Sequence, residues 1–351
     1  MVGGSPCCGI FMSKAAGTQG ESSPIGQMWK LIWPGALAAQ VVYVAARLGL
    51  IDQVADEAKT VEELASSSGT DAQSLGRLLR ALVSLGILVQ DQSGRFRATS
   101  VGEVLGSSHP SSLRSWTIFL GSPFIWNPWG NLFETISTGQ TAFSQLYGMP
   151  FFSYLANHPE YAKVFNDAMS AGSSDYVKDL LAAYDFSKFE RIVDVGGGQG
   201  ELLRGILKTN PTTHGVLFDL PAVVAETGIL KADTMAGRCE VIAGDFFEEV
   251  PQAGDVYILK TIIHSYDDED ALRILKVCRR AIKENGRLLL LEIVLTAASK
   301  PGSALMDMMD LVLGGRERTE EEFGKLLSRA GFSLLRVIPA RNFSILESRP
   351  V

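Results

Sequence analysis

Cysteine is scarce in this chain of 351 residues: Cys7, Cys8, Cys239 and Cys278 are the only four, and no two are spaced Cys-x-x-Cys. A zinc ribbon, a thioredoxin-like redox motif and a disulfide framework are therefore excluded, which points to a reducing compartment, the cytoplasm. A basic block is missing as well. With 32 Lys and Arg against 39 Asp and Glu, the formal charge is −7, and four histidines hardly change it. Duplex nucleic acid and anionic membrane both reward clustered cations, so neither is an expected partner, and small neutral or cationic ligands suit the chain better. Long apolar runs are also lacking: stretches such as Leu288 to Leu295 fall well short of the roughly 18 to 20 residues that span a bilayer. Residues 1–23 are rich in Gly and Ser and lack a charged start followed by an apolar stretch, so they read as a flexible leader rather than a signal peptide. Val2 rather than Gly follows Met1, which removes myristoylation, and Met12 is an alternative start.

What is present is the composition of a folded protein, 46% hydrophobic and 20% charged, in a length that suits two domains or one large domain with an accessory. From Gly35 to Leu50 apolar residues recur at helical spacing, with Gly49 where a helix would stop. Thr60 is placed to cap a helix from Val61 to Ser66. Asp71 is placed to cap a second one reaching Leu85, which Gly86 ends. An Ile-Leu-Val strand, the turn Asp91-Gln92-Ser93-Gly94 and a return strand Arg95 to Ala98 follow. Helix, turn, helix and hairpin make a winged helix, a shape often used on DNA. Its second helix, however, carries Leu75, Leu78, Leu79, Leu82 and Leu85 beside only Arg77 and Arg80, a stripe suited to packing or dimerisation. Residues 111–172 are dense in aromatics, among them Trp116, Phe124, Trp126, Trp129, Phe143, Phe151, Phe152 and Phe165, enough to fill a core or line a pocket for a flat ligand. Asn157 to Pro159 marks a break before the helix that carries Phe165 and Met169.

From Arg191 onward strands alternate with helices, the pattern of a mainly parallel sheet covered on both faces. The strand Arg191-Ile-Val-Asp-Val runs into Gly196-Gly197-Gly198-Gln199-Gly200, and a helical stretch Glu201 to Lys208 follows. Glycines there let a ligand approach the backbone, and the helix start offers free amides. The spacing is Gly-x-Gly-x-Gly, with Glu201 where a dinucleotide fingerprint needs a small residue, so a pyrophosphate is disfavoured. The second strand ends in Asp219, 19 residues beyond Gly200, a place to hold both hydroxyls of a ribose. Asp245 follows the third strand, where its carboxylate could accept from an adenine amine with Phe246 against the ring, or could serve as a turn carboxylate. The fourth strand, Asp255 to Leu259, leads to Lys260 and His264.

Five segments, Asp194-Val-Gly-Gly-Gly-Gln-Gly, Phe218-Asp-Leu-Pro, Gly244-Asp-Phe-Phe, Leu259-Lys-Thr-Ile-Ile-His and Gly314-Gly-Arg-Glu-Arg-Thr, together resemble the S-adenosylmethionine-dependent O-methyltransferases of the caffeate and acetylserotonin type, bacterial enzymes of aromatic natural products included. The resemblance covers residues 35–350 and keeps the order of all five. It implies an α/β architecture: a Rossmann-like methyltransferase domain with a mostly parallel seven-stranded sheet, plus a mainly helical winged-helix domain that builds a homodimer. On that basis residues 1–23 are a leader, 24–110 the dimerisation domain, 111–172 a helical aromatic segment lining the acceptor pocket, and 173–351 the cofactor domain. Carried over position by position, Gly196 lies against the methionine part, Asp219 holds the ribose, Asp245 and Phe246 frame the adenine, and Lys260 lies on a loop touching the cofactor. Asp194, Gly198 and Leu220 belong to the same motifs. Ser173 matches a contact to the cofactor carboxylate, and Phe165 and Met169 flank the transferred methyl and the acceptor ring. No metal is implied.

The implied reaction is an in-line displacement from a sulfonium to a phenolic oxygen of a small or polycyclic aromatic secondary metabolite, with a small aromatic molecule as the partner. Alignment can supply roughly 7 to 11 kcal/mol of the barrier. His264 is the candidate general base, since a phenol of pKa about 10 yields its proton most readily to an imidazole that is neutral at pH 7. A base needs an orienter, and Glu292, closing the apolar strand that starts at Arg287, is a carboxylate where apolar residues are expected. Glu317 in Gly-Arg-Glu-Arg-Thr is the second carboxylate facing the histidine in the family motif. Many relatives carry Asp-Trp after this histidine, where the present chain has Ser265-Tyr266, and the stretch between Glu292 and Glu317 is short and rich in Met306, Met308 and Met309. The alternatives are a family member whose chemistry has drifted to decarboxylation or hydroxylation, and a winged-helix transcriptional regulator that senses a ligand.

Overall fold

The computed structural model describes residues 23–225, 237–298, 301–341 and 343–351, and within them every side chain except those of Pro34 and residues 172–175. The chain divides into two compact units, one ending at Ser122 and the other running from Pro123 to Val351.

In the first unit the helix Pro34–Arg47 stops where Gly49 turns to φ +63°, and a short helix Leu50–Gln53 follows. Thr60 and Glu63 form a reciprocal capping box at the start of the helix Val61–Ser68, two residues longer than its capping signal alone delimits. Asp71 accepts the Ser74 amide and opens the helix Ala72–Ser84. Strands β1 (Leu88–Gln90) and β2 (Phe96–Ala98) pair antiparallel, with Asp91 accepting the amides of Ser93 and Arg95 across the turn. Leu75, Leu79 and Leu82 are buried with Leu64 and Phe96, so the leucine stripe is used in packing. The preceding helix Pro24–Ile32 buries none of its residues, and Ile25, Met28, Leu31 and Ile32 are all more than half exposed.

The second unit begins with short helices, then turns at His158 into the 25-residue helix Pro159–Ala183, which runs without interruption through residues 172 and 173. Phe124, Phe143 and Phe151 are core, whereas Phe133 is exposed. A seven-stranded sheet follows: β3 (Arg191–Val195), β4 (His214–Asp219), β5 (Cys239–Ala243), β6 (Val256–Lys260), β7 (Arg287–Glu292), β10 (Phe332–Pro339) and β11 (Ser344–Pro350), in the order β10-β11-β7-β6-β3-β4-β5. The five from β3 to β7 are parallel, and β11 joins β7 and β10 antiparallel. A separate short pair, β8 (Val294–Leu295) and β9 (Arg318–Thr319), runs parallel.

Strand alternation decides which layer each residue serves. Val193, Val195, Tyr257, Leu259, Leu288 and Leu290 face the helices Asp268–Ala281 and Glu320–Arg329. Ile192, Ile258, Leu289 and Leu291 face the helices Glu201–Thr209 and Pro159–Ala183. The chain order reverses between β3 and β6, and a crevice beyond the carboxyl ends of strands at such a switch point is where open α/β sheets bind ligands. Among the described residues, no helix is long and apolar enough to cross a membrane.

Candidate active site

The turn after β3 is shaped by close approach. Gly196 lies at φ +68°, and a Cβ there would fall 2.6 Å from the Ile262 side chain. One on Gly197 would meet Leu217 at 2.4 Å and Asp194 at 2.7 Å. Gly198, at φ +59°, faces open space, so its need for glycine is purely conformational. Its amide donates to Asp219 Oδ2 at 2.8 Å while the Leu220 amide donates to Oδ1 at 2.7 Å, fixing the carboxylate at the end of β4. Burial raises the Asp219 pKa, and the two amides oppose that rise. Asp245 is exposed and takes the Phe247 amide on Oδ1 at 2.8 Å, the turn-carboxylate arrangement. Phe246 lies 3.5 Å from the position a Gly196 Cβ would occupy, so the first and third strand ends meet.

Near this turn lie two ionisable groups, Asp194 buried and Lys260 half-buried. Asp194 is 1% exposed, and neither of its oxygens has a hydrogen-bond partner among the described residues. Burial pushes it up to about 7, opposed by Lys260. Burial lowers Lys260, Asp194 and Glu292 oppose that, and its Nζ sits 5.4 Å from the centre of the Tyr176 ring. Ser173 is part of the helix Pro159–Ala183, but its side chain lies outside the described residues. Phe165 and Met169 are half-buried on the same helix, and Phe165 sets its edge against Phe151 and Phe152 at 5.6 and 5.9 Å.

The second cluster is built around Glu292, which has no exposed surface at the end of β7. Its Oε1 accepts the amides of Ile262 and Ile263 at 3.1 and 2.8 Å, and its Oε2 accepts His264 Nδ1–H at 2.8 Å. A carboxylate in the core is thus satisfied by three N–H donors, two of which hold the one-turn helix that presents the imidazole. The other ring nitrogen, Nε2, is left for chemistry on a side chain 18% exposed. Burial depresses the His264 pKa, but the Glu292 carboxylate overrides it and the group rises to about 9. This corrects the expectation of an imidazole neutral at pH 7: the same carboxylate that orients the ring also retains its proton.

Glu317 is 3% exposed, one of its oxygens lies within 4.8 Å of a ring nitrogen of His264 and of an oxygen of Glu292, and its Oε2 has no hydrogen-bond partner among the described residues. Burial raises its pKa, with His264 opposing. A metal ion fits these three residues poorly, because Glu292 already spends both oxygens on N–H donors and His264 has turned Nδ1 towards it.

Two further residues, given no site role by the sequence, frame this cluster. Arg318, 1% exposed, donates to the carbonyls of Ile263 and Tyr266 at 3.0 and 2.9 Å and to Asp268. With the Arg316 amide on the His264 carbonyl at 2.7 Å, it staples the segment carrying Glu317 to the loop carrying His264. Its motif was visible, but arginines flanking a glutamate carry the pattern of a solvated surface pair. Tyr266 stacks on Phe152 at 5.7 Å and turns its edge to Phe246 and Phe247 at 6.0 and 5.2 Å, so the position after Ser265 is filled by packing.

Comparison with known proteins agrees across the chain. A family model described as an O-methyltransferase domain matches residues 129–333, and one described as an O-methyltransferase dimerisation domain matches residues 32–108. A phenazine O-methyltransferase of Lysobacter antibioticus is 40% identical over 332 residues, 93% of this chain and 97% of the relative. A 3-amino-4-hydroxybenzoate 4-O-methyltransferase of Streptomyces cremeus is 41% identical over 307 residues, 86% of this chain and 83% of the relative. A crystal structure of an O-methyltransferase from neocarzinostatin biosynthesis, in complex with S-adenosylmethionine and 2-hydroxy-5-methyl naphthoic acid, superposes with a TM-score of 0.80 at 32% identity, covering 90% of this chain and 96% of the other.

Proposed function

The chain belongs to the O-methyltransferase family, and from that premise we propose that it methylates a phenolic hydroxyl of a small or polycyclic aromatic secondary metabolite with His264 as the proton acceptor. S-adenosylmethionine, when bound, supplies a methyl group on a positively charged sulfur that is already a good leaving group. The residues fit such a donor. Gly196 and Gly198 give it backbone to lie against, and Asp219, held by two amides, keeps further lone pairs for ribose hydroxyls. Phe246 offers a ring face for adenine, with Asp245 beside it. Buried Asp194 and half-buried Lys260 are ionisable groups near the turn, and Leu220 follows the ribose acid. Ser173 keeps its assignment only through the motif.

The observation that carries the reading is the Glu292–His264 pair. It fixes the Nδ1 tautomer and leaves Nε2 as the atom that takes the phenolic proton while Glu292 balances the imidazolium. Phe165 and Met169 then stand as walls for the acceptor ring. Because that dyad is intact, drifted decarboxylase or hydroxylase chemistry has less support. The regulator reading loses support from a second helix spent on packing and a net charge of −7. The dimerisation-domain match and the apolar side chains of Pro24–Ile32 that are exposed among the described residues support a homodimer, and the cysteine-poor, acidic composition supports the cytoplasm without a nucleic-acid or membrane partner.

Incubating the purified protein with isotopically labelled S-adenosylmethionine and a panel of naphthols, phenazinols, catechols and indoles tests the assignment, with mass spectrometry as the readout. One labelled methyl on oxygen is expected. A folded protein that takes up S-adenosylhomocysteine in calorimetry yet methylates nothing overturns the acceptor class, and one that binds neither donor nor product overturns the whole reading.

A further inference from the structure

The turn that presents His264 is strained at its root. Thr261 lies at φ +53°, and it and Ala253 are the only residues besides glycine with a positive φ among the described residues. A β-branched side chain suits the left-handed region poorly, so such a conformation persists only where the surroundings over-determine it. On the strand side, the Thr261 amide donates to the Leu291 carbonyl at 3.0 Å and keeps the chain in register with β7 as it leaves β6. Beyond Thr261, Glu292 holds the N–H side of the turn through the Ile262 and Ile263 amides and the imidazole.

The carbonyl side is held by a single other segment. Ile263 and Tyr266 each accept from the Arg318 guanidinium, at 3.0 and 2.9 Å, and the His264 carbonyl between them accepts the Arg316 amide at 2.7 Å. Gly315 lets this segment come so near, since a Cβ there would fall 2.2 Å from the His264 carbonyl oxygen. Arg318 is the largest side chain so deeply buried among the described residues. Burying a guanidinium carries a desolvation cost that an apolar residue of similar volume would avoid, and its counter-charge Asp268, at 3.0 and 2.8 Å, is itself nearly half exposed. What an apolar side chain could not supply is a planar fork that reaches two carbonyls three residues apart at once.

We propose that Arg318 is a positioning residue for methyl transfer: by locking the carbonyls on either side of His264, it keeps the turn in the strained conformation in which Nδ1 meets Glu292 and Nε2 stays free for the acceptor's proton. This rests on the methyltransferase reading with His264 as the proton acceptor. Without the fork, Thr261 relaxes away from positive φ, the carbonyls turn, and the imidazole leaves its place. A displacement of about 1 Å at a reacting group can cost about a hundredfold in rate. Thr261 and Arg318 thus work against each other, strain at the root of the turn and restraint at its tip.

Kinetics on whichever naphthol, phenazinol, catechol or indole the wild-type protein methylates fastest tests this, with S-adenosylhomocysteine calorimetry as the check on folding. Arg318→Lys keeps the charge but only as a point donor. It is expected to lower kcat about 10- to 100-fold, while the acceptor KM and S-adenosylhomocysteine affinity stay within about threefold. In a Thr261→Gly background, where glycine takes positive φ without strain, the same substitution should cost at least about threefold less, because the restraint has less to oppose. A residue that serves fold stability alone behaves otherwise. Either Arg318→Lys keeps full kcat wherever it is folded, or its loss is the same in both backgrounds, and each result overturns the positioning role while leaving the methyltransferase reading standing. If Arg318→Lys binds no S-adenosylhomocysteine, Asp268→Ala removes the anchor of the fork from a half-exposed position and decides instead. A kcat loss of about three- to tenfold that shrinks with Thr261→Gly supports the role, and an unchanged kcat overturns it. A folded wild-type protein that methylates none of these acceptors withdraws both the role and the reading beneath it.

Discussion

The two halves of the site are held in opposite ways. Around the glycine turn the Asp219 carboxylate is satisfied by two backbone amides and the turn is shaped by contacts that a Cβ would violate, while Asp194 keeps both oxygens without a partner among the described residues. Around His264 the protein buries titratable side chains against one another, with Glu292 fully satisfied but Glu317 and Asp310 each keeping a buried oxygen without a partner among the described residues. The first half fixes its one ligand-facing carboxylate through backbone, with Asp194 and Lys260 as the shifted titratable groups beside it. A half built from coupled acids and an imidazole places proton transfer, stability and pH on the same few atoms. Energy is held back in that half, because groups that would be cheaper in water are kept buried beside the His264 imidazole.

The sharpest way to break this contrast is to remove one anchor from each half. His264→Ala should lower kcat by at least about a hundredfold, since a positioned base contributes about 10² to 10⁴ in rate, while S-adenosylhomocysteine affinity in calorimetry stays within about threefold. Asp219→Ala should show the converse, with affinity for the same ligand falling about tenfold or more through two lost hydrogen bonds to hydroxyls. If both substitutions moved kcat and affinity together, the site would have to be regarded as a single coupled unit.

Next in size is the pH dependence. With His264 raised to about 9, kcat/KM for an ordinary phenol should climb about tenfold per pH unit through neutrality, level near 9 and fall beyond the phenol pKa of about 10. The productive state has one proton between imidazole and phenol, so an acceptor more acidic than the imidazole reacts as phenolate beside imidazolium, with its optimum shifted down. Glu292→Gln removes the largest raising influence and leaves burial opposed only by Asp310 and Glu317, so the lower break should drop markedly, towards the ordinary histidine value. An unmoved break in Glu292→Gln would mean that Glu292 orients the ring without governing its proton.

These halves were not equally legible in the sequence. Strand, glycine turn and terminal acid are short-range patterns whose meaning comes from backbone geometry, so Gly196, Gly198 and Asp219 could be read directly from spacing. The capping residues Thr60 and Asp71 were legible for the same reason, although the helix from Thr60 runs on to Ser68 because nothing before Gly69 ends it. His264 and Glu292 required knowing that consecutive parallel strands deliver their ends to one edge. Arg318 and Asp310 were out of reach. Arg316 and Arg318 flank the same glutamate, yet one is solvated and the other is buried, and only the fold decides which. Asp307 and Asp310 sit three apart in the helix Pro301–Leu313, and Glu317, whose amide Asp307 accepts, arrives from a separate segment. The raised imidazole pKa likewise could not be seen until Glu292 was 2.8 Å away.

The smallest effect tests whether the acidic half is held against its own charge. Burial raises the Glu317 pKa, so its folded-state value lies above that of the unfolded chain, near 4.3. Below that value both states are protonated and the residue leaves stability unaltered. As pH climbs past it, the unfolded chain releases the proton while the folded protein retains it, and the native state loses stability. His264 adds a loss of the same sign, because its pairing with Glu292 stabilises fully below the ordinary histidine value and fades as pH rises through about 9. Glu317→Gln cannot ionise, so it should match the wild type near pH 4.5 and exceed it by about 1 to 2 kcal/mol in denaturant unfolding at pH 8. Its activity should fall even as its stability rises, since the variant discards the charge of the second carboxylate beside His264. Parallel stability curves for the two proteins from acid to pH 8 would mean that Glu317 ionises as a solvated glutamate does, and the distinction between the two halves would then rest on His264 and Glu292 alone.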